Sequence, residues 1–256
     1  MESLTLAHPL SARRRPVAAL LALLLIGVLA ACGPAAAPAN APAAPAQPTA
    51  TPLPAEEPAA APATELPSGP RTYIIDPSAS TASYIVDEEF FGLALSKYGI
   101  PAGLVDTVGS TQAIEGRFTL NWADLSASLG ENSFTVDLST LSSDQPLRDS
   151  WMRSDGPNFA RYPNAVFVAS ALEDAPDAYA LGDEVTFRMV GDLTIREITQ
   201  PAVFVVTAAL NDGTVAGVAE AQVTMSSFGI TPPNFANTLT VADEFVILVE
   251  FTAREE

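Results

Sequence analysis

The side chains in this sequence that could do chemistry are mainly carboxylates. His8, Cys32 and Lys97 are each the only residue of their type in the 256-residue chain. If the N-terminal leader argued below is removed, no histidine remains, which excludes Ser-His-Asp and Cys-His catalysis, histidine metal sites and histidine general bases. A single cysteine cannot form a disulfide within the chain. We therefore expect a protein that is not an enzyme and holds no metal.

The densest group of carboxylates is Asp87-Glu88-Glu89. Such a run could bind calcium or supply a pair of catalytic acids. Neither EF-hand spacing nor the spacing of paired acids accompanies it, so a solvated acidic loop is the better interpretation. Phe90 and Phe91 follow directly and are equally consistent with a lid over a ligand and with core packing. The hydroxyls of Ser226 and Ser227 have no base to activate them as nucleophiles.

Two arginines and a tryptophan near the middle of the chain are further candidates for contact with a ligand. Arg148 and Arg153 could hold a polar headgroup, but Asp149 and Asp155 beside them favour local ion pairs. Trp151 could close one end of the domain over a ligand, or it could fix a short helix by packing. We favour packing slightly.

The balance of charge narrows the range of partners. The chain has 30 Asp and Glu against 12 Lys and Arg, a formal net charge of −18. No basic face is available to neutralise phosphates, so nucleic acid is not an expected partner. The same balance argues against adhesion to an anionic membrane through surface charge.

The N-terminus has the pattern of an export signal followed by a point of lipid attachment. The basic run Arg13-Arg14-Arg15 precedes an apolar segment, 16–29, that is too short for a comfortable membrane span. The segment leads into Leu29-Ala30-Ala31-Cys32-Gly33, which resembles the bacterial lipobox. We predict a lipoprotein signal peptide over residues 1–31 and lipidation of Cys32; an ordinary secretory signal with a free cysteine is the alternative. The lipid would anchor the protein to a bacterial membrane, in the periplasm or at the outer cell surface.

Residues 32–70 predict a linker. The segment is rich in Ala, Pro and Thr, shows no apolar periodicity and cannot bury a core. Its prolines favour an extended chain of at most ~3.1 Å per residue. Removal of residues 1–31 takes away three arginines and one glutamate, so that 9 basic and 29 acidic residues give a net charge of about −20. The globular domain is predicted over residues 71–256.

The pattern of the domain is that of β-strands. In the segment 185–196, apolar residues or glycine occupy the odd positions, and polar residues occupy the even positions except Val190. About eight such segments follow one another at short spacing, which predicts an all-β antiparallel barrel or sandwich with one polar face. One short helix is predicted over 143–153, with Ser143 as its N-cap and Pro146 in its first turn.

The predicted inward faces combine small and large side chains. A barrel of about eight strands either fills its interior or keeps room for one small ligand. Two interpretations therefore remain open: a cavity, or small and large residues that interdigitate to fit the taper of the barrel. The inward faces carry no obvious charge, so any ligand should be largely apolar. The small inward residues are Gly116, Ala165, Ala169, Gly191, Ala202, Ala219 and Ala221.

Several short motifs follow one another along the domain. They are Tyr73-Ile74-Ile75-Asp76-Pro77, Gly116-Arg117-Phe118, Arg148 with Met152-Arg153-Ser154, Tyr162-Pro163, Gly191-Asp192-Leu193-Thr194-Ile195-Arg196, Thr199-Gln200-Pro201, Phe228-Gly229-Ile230 and Val241-Ala242-Asp243-Glu244-Phe245. Together they resemble the YceI family of secreted isoprenoid-binding proteins over residues 73–251. There are departures: Trp151-Met152 stands where the family usually has His-Leu, residues 156–160 replace its usual Asp-Phe-Phe-Asp, and the segment 87–112 is longer than usual.

The resemblance implies a lipocalin-like, eight-stranded antiparallel barrel that binds an apolar isoprenoid-type lipid, such as a quinone or a polyprenyl lipid, without catalysis or another cofactor. Such a protein would store, shield or transport the lipid, as a monomer or as a homodimer. A filled barrel with an external working surface, and an enzyme that uses carboxylates, are the alternatives. The candidate ligand contacts in the barrel lining and mouth are Tyr84, Phe90, Phe91, Phe118, Phe134, Trp151, Phe159, Phe167, Phe187, Met189, Phe204, Met225, Phe228 and Phe245.

Overall fold

A computed structural model describes residues 66–92, 99–100, 102–127, 130, 132–211 and 213–256. The predicted signal peptide, Cys32 and most of the predicted linker lie outside these residues, and so does Lys97. No helix in this part of the chain is long and apolar enough to cross a membrane.

Strands and one short helix make up most of the described chain. The helix is α1 (Pro146–Arg153). The strands are β1 (Pro70–Ile75), β2 (Thr81–Phe90), β3 (Gly103–Thr111), β4 (Ile114–Asn121), β5 (Asn132–Asp137), β6 (Ser142–Ser143), β7 (Asn164–Glu173), β8 (Val185–Ile195), β9 (Ile198–Asn211), β10 (Thr214–Thr224), β11 (Asn234–Phe235) and β12 (Leu239–Glu255).

The strands close into an antiparallel barrel, in which some strands pair with their neighbours in sequence and others with distant strands. β1 and β2 lie end to end along β12, β3 and β4 lie end to end along that pair, and β5 and β6 continue one another in the same way. The ring then runs through β7, β8, β9 and β10, and β10 pairs with β12 to close it. The prediction of an all-β, antiparallel eight-stranded barrel with one short helix is confirmed.

The alternation of residue types decides which face of each strand lies inside. Along β8, Val185, Phe187 and Met189 are buried, while Thr186 between them is exposed. Burying a large apolar side chain contributes roughly 1.5–3 kcal/mol. Because neighbouring side chains on a strand point to opposite faces, the pattern fixes the register of the whole sheet.

Aromatic side chains close one end of the barrel, which we call the closed end. Trp122 and Tyr73 are fully buried there, and the Trp122 indole Nε1–H donates a hydrogen bond of 2.8 Å to the Tyr73 hydroxyl oxygen. The Tyr179 hydroxyl donates to the Trp122 carbonyl oxygen. Burial raises the pKa of Tyr179 to about 12, so its hydroxyl remains a donor at neutral pH. The side-chain polar groups of Tyr73, Trp122 and Tyr179 are therefore paired within the protein at this end.

The N-cap of the helix lies two residues after the N-cap expected from the sequence. Gln145 occupies its N-cap position and Pro146 its first turn. Ser143, the predicted N-cap, instead lies in β6, where its backbone pairs with Gly109 of β3. Its hydroxyl donates to a carboxylate oxygen of Asp149 at 2.6 Å, so it is not available to the first turn of the helix.

The segment 87–112, which is longer than usual for the family, is largely strand in its described residues. β2 continues to Phe90, and β3 pairs with it from Gly103 to Thr111. Val108 and Leu104 are exposed on the outer face of β3, which breaks the expected alternation of apolar and polar residues. The two strands extend one side of the barrel wall at the end opposite the closed end.

Candidate ligand-binding site

The barrel encloses a cavity of about 220 Å³, which we call the inner cavity. Its wall is built from the inward faces of the strands and, on the side away from the closed end, from α1 and the segment after it. The lining is apolar apart from the hydroxyl-bearing residues Ser83 and Tyr84. The candidate residues that line it are Tyr84, Phe118, Phe134, Trp151, Phe159, Phe167, Phe187, Met189, Phe204, Met225 and Phe245.

Aromatic rings make up much of this wall. The ring centroids of Phe134 and Phe167 are 6.4 Å apart, and those of Phe167 and Phe204 are 4.7 Å apart in an edge-to-face arrangement. A Cβ atom on Gly116 would lie 2.6 Å from Cδ1 of Phe134, so glycine leaves the space that this ring occupies. Small residues also limit how far the interior fills, and Ala165 and Ala219 line the cavity directly.

A second cavity of about 350 Å³, the outer cavity, lies between α1 and the ends of β2 and β12. Most of its lining is apolar, but Glu88, Gln145 and Arg148 contribute polar groups. Leu147 on α1 and Phe235 on β11 are strongly exposed at this site. The remaining apolar lining residues are Val86, Phe90, Ile100, Pro233, Leu239 and Val241.

Four side chains line both cavities and form what we call the partition: Tyr84, Trp151, Met152 and Met225. The Trp151 ring contacts Phe235 in an edge-to-face arrangement with centroids 6.5 Å apart. It also lies so close to Gly156 that a Cβ atom there would be 2.5 Å from its Cζ2. Methionine side chains adapt readily to new neighbours. Two of the four residues are therefore of a type that repacks easily.

The turn after β10 holds Met225 in the partition. The Asp243 carboxylate accepts hydrogen bonds from the backbone N–H and the hydroxyl of Ser226, at 2.8 and 2.6 Å. The Gln200 side-chain amide donates to the Ser227 carbonyl oxygen at 3.0 Å. The turn ends at Gly229 in a left-handed conformation, with a φ of 65°. Several residues of the sequence motifs thus serve to fix this turn.

Arg148 uses every N–H donor of its guanidinium. Nε and one N–H of Nη2 donate to the two carboxylate oxygens of Glu88, at 3.0 and 2.8 Å. The other bonds run from Nη1 to Ser143 Oγ and Asp144 Oδ1, at 2.9 and 2.6 Å, and from Nη2 to Thr107 Oγ1 at 3.3 Å. Burial lowers the pKa of Arg148, but the hydrogen bonds to Glu88 and Asp144 outweigh that effect and raise it.

Three predictions about charged groups are wrong. Glu88 is not solvated but only 5% exposed, because it is paired with Arg148. Arg148 pairs with Glu88 and Asp144 rather than with Asp149, whose buried carboxylate accepts the backbone N–H and hydroxyl of Ser143. Arg153 does not pair with Asp155 in the described structure; it donates to the Leu141 carbonyl oxygen at 3.2 Å.

The Tyr84 hydroxyl is buried in the partition, and none of the described residues is its hydrogen-bond partner. Its ring covers Gly109, where a Cβ atom would lie 2.3 Å from Cε1. Ser143 is near, but its hydroxyl already donates to Asp149 and accepts from Arg148 Nη1 and the Gln145 backbone N–H, which fills its capacity. Burial raises the pKa of Tyr84 to about 12, so the hydroxyl keeps its proton.

Three candidate residues lie outside the inner cavity. Phe90 lines the outer cavity instead. Phe91 lines neither cavity and follows the end of β2, with its backbone N–H bonded to the Thr238 carbonyl oxygen at 2.7 Å. Phe228 is fully buried in the core but lines neither cavity. Leu147 and Phe235 line the outer cavity but were not among the predicted ligand contacts. The position of Leu147, one helical turn before Trp151, was the signal that could have identified it.

Comparisons with known proteins identify the family. The model of the YceI-like domain matches residues 73–253. A search of curated protein sequences finds no significant match.

Solved structures show the same fold. BcnA of Burkholderia cenocepacia aligns with a TM-score of 0.52 and 19% identity, over 70% of this chain and 98% of that protein. A polyisoprenoid binding domain from Saccharophagus degradans aligns over the same shares with 13% identity and a TM-score of 0.45. A Campylobacter jejuni YceI protein aligns over 58% of this chain and 84% of its own, with 16% identity and a TM-score of 0.45. The family match over most of the domain decides the assignment: this chain belongs to the YceI-like family.

Proposed function

We propose that this protein binds an apolar isoprenoid-type lipid, such as a quinone or a polyprenyl lipid, with the tail inside the barrel. The observation that carries the proposal is the inner cavity, whose lining is almost entirely apolar and which adjoins a second cavity across the partition. An extended chain of apolar carbons suits a narrow space of this kind. Its burial would contribute roughly 25 cal/mol per Å² before the cost of association.

The sizes of the cavities support a ligand that occupies both. The inner cavity alone, at about 220 Å³, is smaller than the roughly 300–1,000 Å³ of typical small-molecule pockets. With the outer cavity of about 350 Å³ the space falls within that range. A tail in the inner cavity and the remainder of the molecule in the outer cavity would therefore use the site fully.

We further propose that the mature chain is a lipoprotein anchored through Cys32 to a membrane outside the bacterial cytoplasm. The basis is the signal-peptide and lipobox pattern of residues 1–33. In this setting the protein stores, shields or transports its lipid and does not catalyse a reaction. Assembly as a homodimer remains a prediction.

The test is recovery of lipid with the full chain and its loss when the inner cavity is filled. Native mass spectrometry and lipid extraction of the purified protein should detect an isoprenoid lipid. Ala165→Phe and Ala219→Phe should each reduce bound lipid, because these residues line the inner cavity. Ala216→Phe is the matched control, since Ala216 is exposed on the same strand as Ala219.

A protein without co-purified lipid, and without binding of added farnesol or quinone, would refute the proposal. A filled barrel with an external working surface would then be the better account. Equal lipid content in all three alanine variants would show that the lipid sits elsewhere.

A further inference from the structure

We infer that the outer cavity selects lipids with an uncharged polar head and rejects those with a phosphate head. This inference rests on the proposed function, because it concerns the head of the lipid whose tail would lie in the barrel. It is carried by the hydrogen bonds and charges of the side chains around Arg148.

Arg148 would be the natural receptor for a phosphate, but it has no free donor. Its five N–H groups are bonded to Glu88, Asp144, Ser143 and Thr107. The two bonds to Glu88 have the parallel geometry that a phosphate would otherwise use. A phosphate bound at two points on Arg148 would have to displace Glu88, which is almost fully buried, and one bound at Nη1 would have to displace the carboxylate of Asp144.

The charges around Arg148 are unfavourable for an anion. Glu88 and Asp144 pair with this one guanidinium, and the buried carboxylate of Asp149 lies on the same helix. Arg148 is also the only positively charged residue in the described linings of the two cavities. With three carboxylates to one guanidinium, the group repels an additional negative charge.

The inner cavity does not offer an alternative place for a charged head. Its lining contains no ionised side chain, and burying an unpaired charge there would be far more costly than burying a neutral group. A phosphate would therefore have to remain in solvent or lie against the carboxylates.

An uncharged head finds suitable partners at the same place. The Gln145 side chain, which lines the outer cavity, carries an amide donor and acceptor. The Tyr84 hydroxyl, which lies in the partition, has a proton and no partner. A carbonyl or hydroxyl oxygen on a lipid that displaces the methionines of the partition can accept a hydrogen bond from the Tyr84 hydroxyl.

The inference is tested by comparing two probes with the same tail, farnesol and farnesyl phosphate, on the full chain. We expect farnesol to bind at least about tenfold more tightly at low ionic strength, and the difference to shrink as salt screens the carboxylates. Asp144→Asn, at an exposed position, should lower the ratio of the farnesol affinity to the farnesyl phosphate affinity by about fivefold. The double variant that also carries Glu88→Gln should lower this ratio further. Glu115→Gln is the control, because it removes one charge from the exposed outer face of β4.

The outcomes separate this inference from the proposed function. Tighter binding of farnesol that is reduced in the Asp144 and Glu88 variants supports the inference. Equal binding of the two probes, or tighter binding of farnesyl phosphate, overturns it and leaves lipid binding intact. If neither probe binds, the proposed function fails as well. The inference would also be overturned if the affinity difference between the probes were unchanged in Asp144→Asn but altered in Glu115→Gln. Overall charge, and not the group around Arg148, would then be responsible.

Discussion

Arg148 of α1 and Glu88 of β2 form a two-point ion pair, with Nε–Oε1 and Nη2–Oε2 distances of 3.0 and 2.8 Å. The pair joins the helix to the barrel wall across the outer cavity. Both side chains are largely withdrawn from water, and the Glu88 carboxylate receives its side-chain hydrogen bonds from Arg148.

Arg148→Ala should lower the free energy of unfolding by about 3–5 kcal/mol, because it leaves a buried carboxylate without its partner. Replacing both residues, as Arg148→Met with Glu88→Leu, should recover most of that loss. Urea denaturation of the single and double variants measures both effects. A double variant no more stable than Arg148→Ala would contradict this account of the pair.

Tyr84→Phe should leave stability unchanged or raise it by up to about 1 kcal/mol. The reason is that the substitution removes a buried hydroxyl whose oxygen has no hydrogen-bond partner. Thermal and urea denaturation test it, and a loss of more than about 1 kcal/mol would show that the hydroxyl does have a partner in the folded protein.

Tyr73→Phe is the matched substitution at the closed end, and the opposite result is expected. It removes the acceptor of the buried Trp122 indole N–H, so the free energy of unfolding should fall by about 1–3 kcal/mol. Lipid binding should not change, because Tyr73 lines neither cavity. If lipid affinity falls while stability is preserved, the closed end takes part in binding.

Trp151→Ala should join the two cavities and favour longer tails. We expect the ratio of affinities for geranylgeraniol and geraniol to rise by about tenfold, because an added isoprene unit buries several carbon groups. Competition titrations with geraniol, farnesol and geranylgeraniol measure this ratio. Ser150→Ala is the control, because Ser150 is exposed on the same helix and lines neither cavity. A stability loss with unchanged selectivity would assign Trp151 a packing role alone.

The stability of the folded protein should depend on pH through the carboxyl group of Asp87. Partial desolvation, together with a hydrogen bond and repulsion from Asp106 across β2 and β3, raises the pKa of Asp87 above its usual 3.8. A carboxyl whose pKa is higher in the folded state favours folding while it is protonated, and that contribution is lost as the pH rises through the raised pKa. Asp87→Asn should therefore raise the melting temperature at pH 7 but not below pH 3.8. An equal gain at both pH values would contradict the sign of this effect.

The barrel could be predicted because one face of almost every strand is buried. In β8 the alternating apolar residues leave only one register that puts them inside. β3 was not predicted, because Leu104 and Val108 lie on its outer face, where polar residues were expected. The family motifs identified the order of the elements but not the pairing of this hairpin with the rest of the wall.

The aromatic lining of the inner cavity could be predicted for the same reason, and most of the candidate residues do line it. The outer cavity could not, because its residues come from a helix, a turn and two strand ends that only the folded chain brings together. The Glu88–Arg148 pair links residues 60 positions apart, and Asp149 beside Arg148 offered a nearer but incorrect partner. Local sequence favours local pairs, but Arg148 also pairs with the distant Glu88, which only the tertiary structure brings close.

The closed end has a consequence for how the protein is oriented. β1 starts at this end, where Pro70 pairs with Asn121 next to Trp122, whereas Phe90 and Leu239 meet at the opposite end beside the outer cavity. The N-terminal tether that we propose would therefore join the barrel at its closed end. Lipid would then enter and leave at the opposite end, where the tether does not obstruct the outer cavity.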